Sequence, residues 1–296
     1  MTSSGDVRQD VVVRFAPSPN GLLHLGHAYA ACVAYDYARE HHGRLLLRIE
    51  DIDGGRSKLE FVEAILADLR WLGIDWDGEV IFQSERLDSY AEAAERLKRK
   101  GLLYPCFCTR SEMRAVQYKE GLGEGPDGPI YPGTCRHLDY KAVRGRIKEE
   151  PHSWRLDVKK ALHLMDELRW HDERHGEQIA DPASLGDVVL IPKDMPVSYH
   201  LAVTLDDARD GITHVVRGGD LFASTHIHRL LQALLELPTP VYVHHPVLLD
   251  ETGRKLSKSR DSASLAVLRE GERNGYELAS NLRKNIFPVG ITLSKD

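Results

Sequence analysis

Residues 17–27 read PSPNGLLHLGH and concentrate groups that can hold phosphate. His24 and His27 are three apart, so on a helical turn they share a face. Their ring nitrogens can donate hydrogen bonds to phosphate oxygens. Gly21 and Gly26 let the backbone approach a ligand closely. Pro17 opens the turn-rich stretch, and the helix start that follows supplies unpaired N–H groups and a positive dipole end. His-x-x-His alone equally fits a zinc pair or two surface histidines; the whole string after a strand is more specific. A second string, GRKLSKSR (253–260), gathers Lys255 and Lys258 with two serines on a loop begun by Gly253. Alone, such a run is most often a solvated loop. Paired with the histidines it reads as a phosphate clamp hinged at Gly253. Lys258 would meet charge developing on a transferring phosphate, with Lys255 on the leaving-group side.

Other residues suit an acidic amino acid. Arg14 and Arg217 can each form a bidentate pair with a carboxylate, Glu50 can take an ammonium group, and Ser18 and Tyr199 offer hydroxyls. Cysteines fall at 32, 106, 108 and 135. Cys32 lies on an apolar helix and reads as a core residue. Cys106, Cys108 and Cys135 flank a Gly/Pro-rich loop, as in a metal knuckle. A closed structural site wants a fourth ligand, for which Tyr131 and His137 are the local candidates.

The elements that must position these groups alternate. Strands are expected over 11–16, 44–49 and near 79–82, and helices over 27–42, 58–72 and 87–100. That alternation implies a parallel sheet, with ligands beyond the carboxyl ends of its strands, where 17–27 and 50–53 both fall. Further on, 139–148 reads as a helix and 153–158, 167–173 and 187–191 as strands. Residues 222–236 form an amphipathic helix, on which His226 and His228 point to different faces and are expected at the polar or RNA-facing surface.

Composition bounds the rest. A chain of 296 residues, 42% hydrophobic and 28% charged, can bury a core, and four cysteines are too few for a disulfide scaffold. The net charge of −6 excludes a partner found by overall basic charge but not a local basic face for nucleic acid. No run of about 18 apolar residues suggests a membrane span. The N-terminus has no apolar core to make a signal peptide. The protein is expected to be a cytoplasmic monomer.

RFAPSPNGLLHLGH resembles the ATP-binding signature of class I glutamyl- and glutaminyl-type aminoacyl-tRNA synthetases. RIEDID (48–53), VRGGDL (216–221) and KLSKS (255–259) resemble three further blocks, with Leu256 in place of the family's Met. The resemblance covers about residues 11–285. It implies an α/β, Rossmann-like catalytic domain with a parallel sheet, a zinc-knuckle or acceptor-type insertion and a short helical C-terminal region. The expected divisions are 1–103 and 186–250 for the two catalytic halves, 104–185 for the insertion and 251–296 for the KLSKS loop and tail. It implies ATP with Mg2+ at Pro17, Gly21, His24, Gly26, His27 and Lys258, with His24, His27, Lys255 and Lys258 as catalytic groups. It implies L-glutamate at Arg14, Phe15, Ala16, Pro17, Ser18, Glu50, Tyr199 and Arg217. The Cys-x-Cys and Tyr-x3-Cys spacing resembles one subfamily, the glutamyl-Q tRNA(Asp) synthetases, and implies one structural Zn2+ on Cys106, Cys108, Tyr131 and Cys135. The 36 residues 261–296 are too few for an anticodon-binding domain, as expected of that subfamily. Its members esterify glutamate to queuosine in the anticodon of tRNA(Asp). The alternatives are 3′-end charging of tRNA by a conventional glutamyl-tRNA synthetase, and a non-catalytic paralogue that binds amino acid or RNA.

Overall fold

The computed structural model describes residues 10–121, 123–126, 128–256 and 264–295. The chain forms two discontinuous compact units: residues 1–82, 211–219 and 240–296, and residues 83–210 and 220–239.

The first unit is built on parallel strands. β1 (Val12–Phe15) pairs with β2 (Arg44–Ile49), and β2 with β3 (Ile81–Phe82), all parallel. On the other side of β1, Thr213 accepts the Val12 N–H on its hydroxyl and donates its own N–H to Val12 O. It thereby leads in the strand His214–Gly218, which pairs in parallel with Val241–His245. Parallel neighbours need crossovers. α1 (Leu25–Glu40) and α2 (Leu59–Trp71) supply two of them. Val13, Leu45, Leu47 and Ile49 from the strands pack with Ala28, Ala31, Ile65 and Leu69 from these helices into one core. The Ala-rich face of α1 lets the helix lie close to the sheet.

The helix Leu265–Glu270 packs on α2 through a partly buried ion pair, Arg269 Nε to the buried Asp68 Oδ1 at 3.1 Å. Asp68 Oδ2 is buried with no hydrogen-bond partner. Burial pushes this carboxyl up to about 6 from 3.8, outweighing the opposing pull of Arg269. The raised folded value means that between about pH 4 and 6 the folded chain keeps a proton the unfolded chain releases. Asp68 therefore favours folding in acid, and that contribution is lost as pH rises through about 6. Asp68→Asn should flatten this limb and gain up to about 3 kcal/mol over the parent at pH 7.5. Urea melts of both proteins between pH 4 and 8 measure it, and parallel curves would refute it.

The second unit is antiparallel. Leu103–Cys106 and Val189–Ile191 flank Ser153–Leu156, and Arg169–Asp172 forms a hairpin with Gly176–Ile179. The strand expected over 153–158 stops at Leu156, because Asp157 caps a short helix, Val158–Leu162, by accepting the Lys160 N–H. The helices Leu87–Arg99 and Tyr199–Arg209 are joined by Asp206, a buried carboxylate that accepts from Gln83, Arg86 and Tyr90. The helix Ser224–Leu235 corrects the expectation for its histidines. His228 is 2% exposed, with its Nε2 3.2 Å from His200 Nδ1, so it is a core residue. His226 is half-buried and accepts the Asp181 N–H.

Candidate active site and metal centre

The helix α1 begins in an unusual way. His24 is its N-cap, and the ring Nδ1 accepts the Gly26 N–H at 3.1 Å. His27 returns the bond, its Nδ1 accepting the His24 N–H at 3.2 Å. Two imidazoles thus close a reciprocal cap of the kind usually built from Ser or Thr with Glu. Because each Nδ1 accepts, each neutral ring carries its proton on Nε2. Gly26 fits closely here: a Cβ would sit 3.0 Å from His24 Cε1, so a larger residue would have to push the capping ring aside by a few tenths of an ångström.

The rest of the loop is tied to β2 and α2. Pro17 O accepts the Glu50 N–H at the end of β2, and Pro19 O accepts the Lys58 N–H before α2. Pro17 is buried, Ala16 and Ser18 are half-buried, and Gly21 lies in the same turn. Lys258 lies outside the described residues, but both flanks of its segment are placed. Leu256 is buried 3.8 Å from the position a Gly26 Cβ would take. On the far flank Ser264 bridges His24, and the Leu265 N–H donates to Leu23 O at 2.8 Å. Leu256 and Ser264, the described residues on either side of it, therefore both sit at the histidine cap. Lys255 is exposed and bridges Leu249.

The carboxylate-binding candidates of the first unit sit on adjacent strands. Arg14 is 5% exposed on β1 and donates to Val216 O. Arg217 is 7% exposed, one residue further along its strand. Its Nε donates to His244 Nε2 at 3.1 Å. The side chain of Glu50 is 9% exposed, with Oε1 3.8 Å from Arg48 Nη2. Phe15 is a core residue. Tyr199 belongs to the second unit, at the start of its helix, beside the rings of His200 and His228.

Residues 10–295 match the model of the tRNA synthetases class I (E and Q), catalytic domain. The chain is 46% identical, over 88% of its length and 95% of the relative's, to a glutamyl-Q tRNA(Asp) synthetase of Rhodobacter capsulatus. The chain belongs to the glutamyl-Q tRNA(Asp) synthetase family. A glutamate–tRNA ligase of Aquifex aeolicus is 40% identical over 88% of this chain, which spans 54% of that ligase. The crystal structure of a glutamate–tRNA synthetase from Elizabethkingia anophelis superposes with a TM-score of 0.71 at 29% identity. That match covers 85% of this chain, which spans about half (53%) of that one.

In this member of the synthetase family the second unit holds a thiol cluster. Cys106, Cys108 and Cys135 place their sulfurs within 4.8 Å of one another. Tyr131 Oη lies 3.3 Å from Cys106 Sγ and 3.5 Å from Cys108 Sγ, and accepts the Cys135 N–H at 2.9 Å. His137, the other candidate ligand, is exposed and not among the converging groups. Burial opposes a Cys106 thiolate, but hydrogen bonds with Tyr131 and Arg155 hold this thiol below its ordinary range. Burial pushes Cys108 up to about 11, and burial followed by contact with Cys106 pushes Tyr131 up. Three thiols and a phenol crowded in one apolar pocket cannot all ionise unaided. A bound cation would supply the compensating charge, so the donor set fits a thiophilic metal.

Asp187 holds this cluster to the sheet. The buried carboxylate accepts from Tyr104, Arg136 and the Val158 N–H, while its carbonyl accepts from Arg155 at 2.7 Å. Arg136 follows Cys135, and the Arg155 guanidinium lies 3.9 Å from the Tyr131 ring centroid. One residue thus anchors both the arginine beside a thiol, through its carboxylate, and the cation under the phenol, through its backbone carbonyl. Neither Asp187 nor His244 stood out in the sequence, because each acts through partners remote along the chain.

Proposed function

We propose that the chain activates L-glutamate with ATP and transfers it to the queuosine base of tRNA(Asp). The observation that carries the first half is the histidine cap of α1, to which both flanks of the KLSKS segment attach. One helix start, with its dipole and Nε2–H groups, and one lysine-bearing segment would then bracket the same phosphates. Pro17, Gly21 and Gly26 would line the nucleotide, and Mg2+ arriving with ATP would neutralise phosphate charge. Arg14 and Arg217 would bind the side-chain carboxylate, while Glu50 would bind the ammonium group, with Ser18 completing the pocket beside Phe15 and Ala16. The glutamate α-carboxylate attacks the α-phosphorus, that phosphorus parts from the bridging oxygen, and pyrophosphate leaves. His24, His27, Lys255 and Lys258 would stabilise charge on the phosphates in that step. A queuosine hydroxyl then attacks the acyl carbon, losing its proton as AMP departs.

The acceptor is supported by the family's name for its members. Zn2+ on Cys106, Cys108, Cys135 and Tyr131 would cross-link the knuckle of the second unit and take no part in the chemistry. The cytoplasm, where ATP and tRNA meet, is the place of action, and the working form is a monomer. The likeness to the Aquifex ligase favours one rival, esterification at the tRNA 3′ end. Transfer of labelled glutamate to tRNA from queuosine-replete and queuosine-deficient cells separates them. Label confined to the replete pool is expected, and equal label on both would establish 3′-end charging.

A further inference from the structure

We infer that His244 is a positioning residue that aims Arg217 at the carboxylate of the amino-acid substrate; this rests on the glutamate-activating reading above. The geometry begins with sheet register. Arg217 and His244 are direct partners on two parallel strands, and Val215 pairs with Tyr242 one pleat earlier. Side chains two apart on a strand share a face. Tyr242 and His244 therefore stand side by side, with ring planes 3° from parallel and centroids 5.8 Å apart. The Arg217 guanidinium lies against this pair, 5.4 Å from the Tyr242 ring centroid. His244 and Tyr242 are 1% and 2% exposed, so neither ring can swing away.

The bond itself is informative. Arg217 donates from Nε to His244 Nε2, so His244 offers a lone pair there and carries its proton on Nδ1. Tethering Nε fixes the plane of the guanidinium and the direction of its two Nη groups, the pair that grips a carboxylate bidentately. A carboxylate in the place of His244 would give equal orientation but would cancel the charge. A neutral imidazole orients the cation without itself cancelling that charge. His244 is thus predicted to act on amino-acid affinity through Arg217, with no contact to the reacting atoms.

The test is glutamate-dependent ATP–pyrophosphate exchange by the full chain, with glutamate and ATP varied separately. His244→Phe keeps a planar ring and removes the acceptor. It should raise the glutamate KM about 10- to 100-fold, leave the ATP KM within about twofold, and keep the melting temperature near that of the parent. His244→Gln, whose amide oxygen can accept from Nε, should recover most of the loss. In an Arg217→Lys background, which lacks the Nε–H, His244→Phe should add nothing. If His244→Phe does not fold, His244→Leu carries the same measurement. An unchanged glutamate KM, an equal rise in both KM values, or full additivity with Arg217→Lys overturns the inference and leaves the glutamate reading intact. Absence of any glutamate-dependent exchange by the parent overturns that reading, and this inference with it.

Discussion

His24→Asn should fold as stably as the parent and form adenylate about 100- to 1000-fold more slowly. Asparagine is among the best N-caps, so its side-chain oxygen can take over the Gly26 N–H that His24 Nδ1 accepts. It does not reproduce the imidazole Nε2–H beyond the cap. Losing one donor aimed at developing charge costs two to three orders of magnitude in kcat where such donors have been removed. His24→Ala should lose the same rate and, in addition, about 1 kcal/mol of stability from the missing cap. Pyrophosphate exchange and thermal melting on both variants separate the two roles. A His24→Asn protein with parental kcat would show that the ring serves only to start the helix. His27→Asn is a weaker probe, since His27 is half-buried and its cap bond is to the His24 N–H.

Stripping metal with a chelator should lower the melting temperature of the full chain by on the order of 10 °C, reversed by Zn2+ alone. Cys135→Ser should do the same without chelator. Among the described residues no further thiol, imidazole or carboxylate joins the cluster to replace that sulfur, and His137 is exposed outside it. Tyr131→Phe is the discriminating variant. It leaves three thiols in place and removes the oxygen 3.3 Å from Cys106 Sγ. Its metal affinity should fall by at least the ~10–100-fold typical of losing an outer-shell partner. Competition with a zinc chromophore reads this directly. Unaltered affinity would remove Tyr131 from the ligand set, and a parent protein purified without metal would remove the site.

Much of the first unit was legible because its signals are local. The β-branched run Val11–Val13, the Leu-rich 45–47 and the Ala-rich α1 each declare their element within a few residues. α1 starts two residues before the expected position, at Leu25, because a histidine does the capping and no Ser, Thr, Asp or Asn marks the spot. The strand Gly176–Ile179 carries no sequence signal, for a physical reason. It lies on a two-stranded hairpin and its single apolar residue, Ile179, is 54% exposed, so no alternation is written into it. The helix Arg110–Glu120, with a mostly polar surface, gave as little signal. His228 departs from the sequence expectation for the opposite reason. Its spacing from His226 places it on a different face, but what that face meets is His200, 28 residues away. Residue spacing reports on a helix's own surface and is silent on what covers it.

The two units interleave along the chain, and this bears on synthesis. β1 leaves the ribosome well before its bond partner Thr213, which lies 201 residues downstream. At about 5–20 residues per second, that partner follows roughly 10–40 s later. Through that interval β1, an apolar strand with unpaired backbone groups on one edge, is open to any passing chain. Its early pairing with β2, 32 residues away at Val12 and Arg44, shields only the other edge. Slowing translation between the codons for residues 83 and 210 lengthens that exposure and should therefore cost soluble yield.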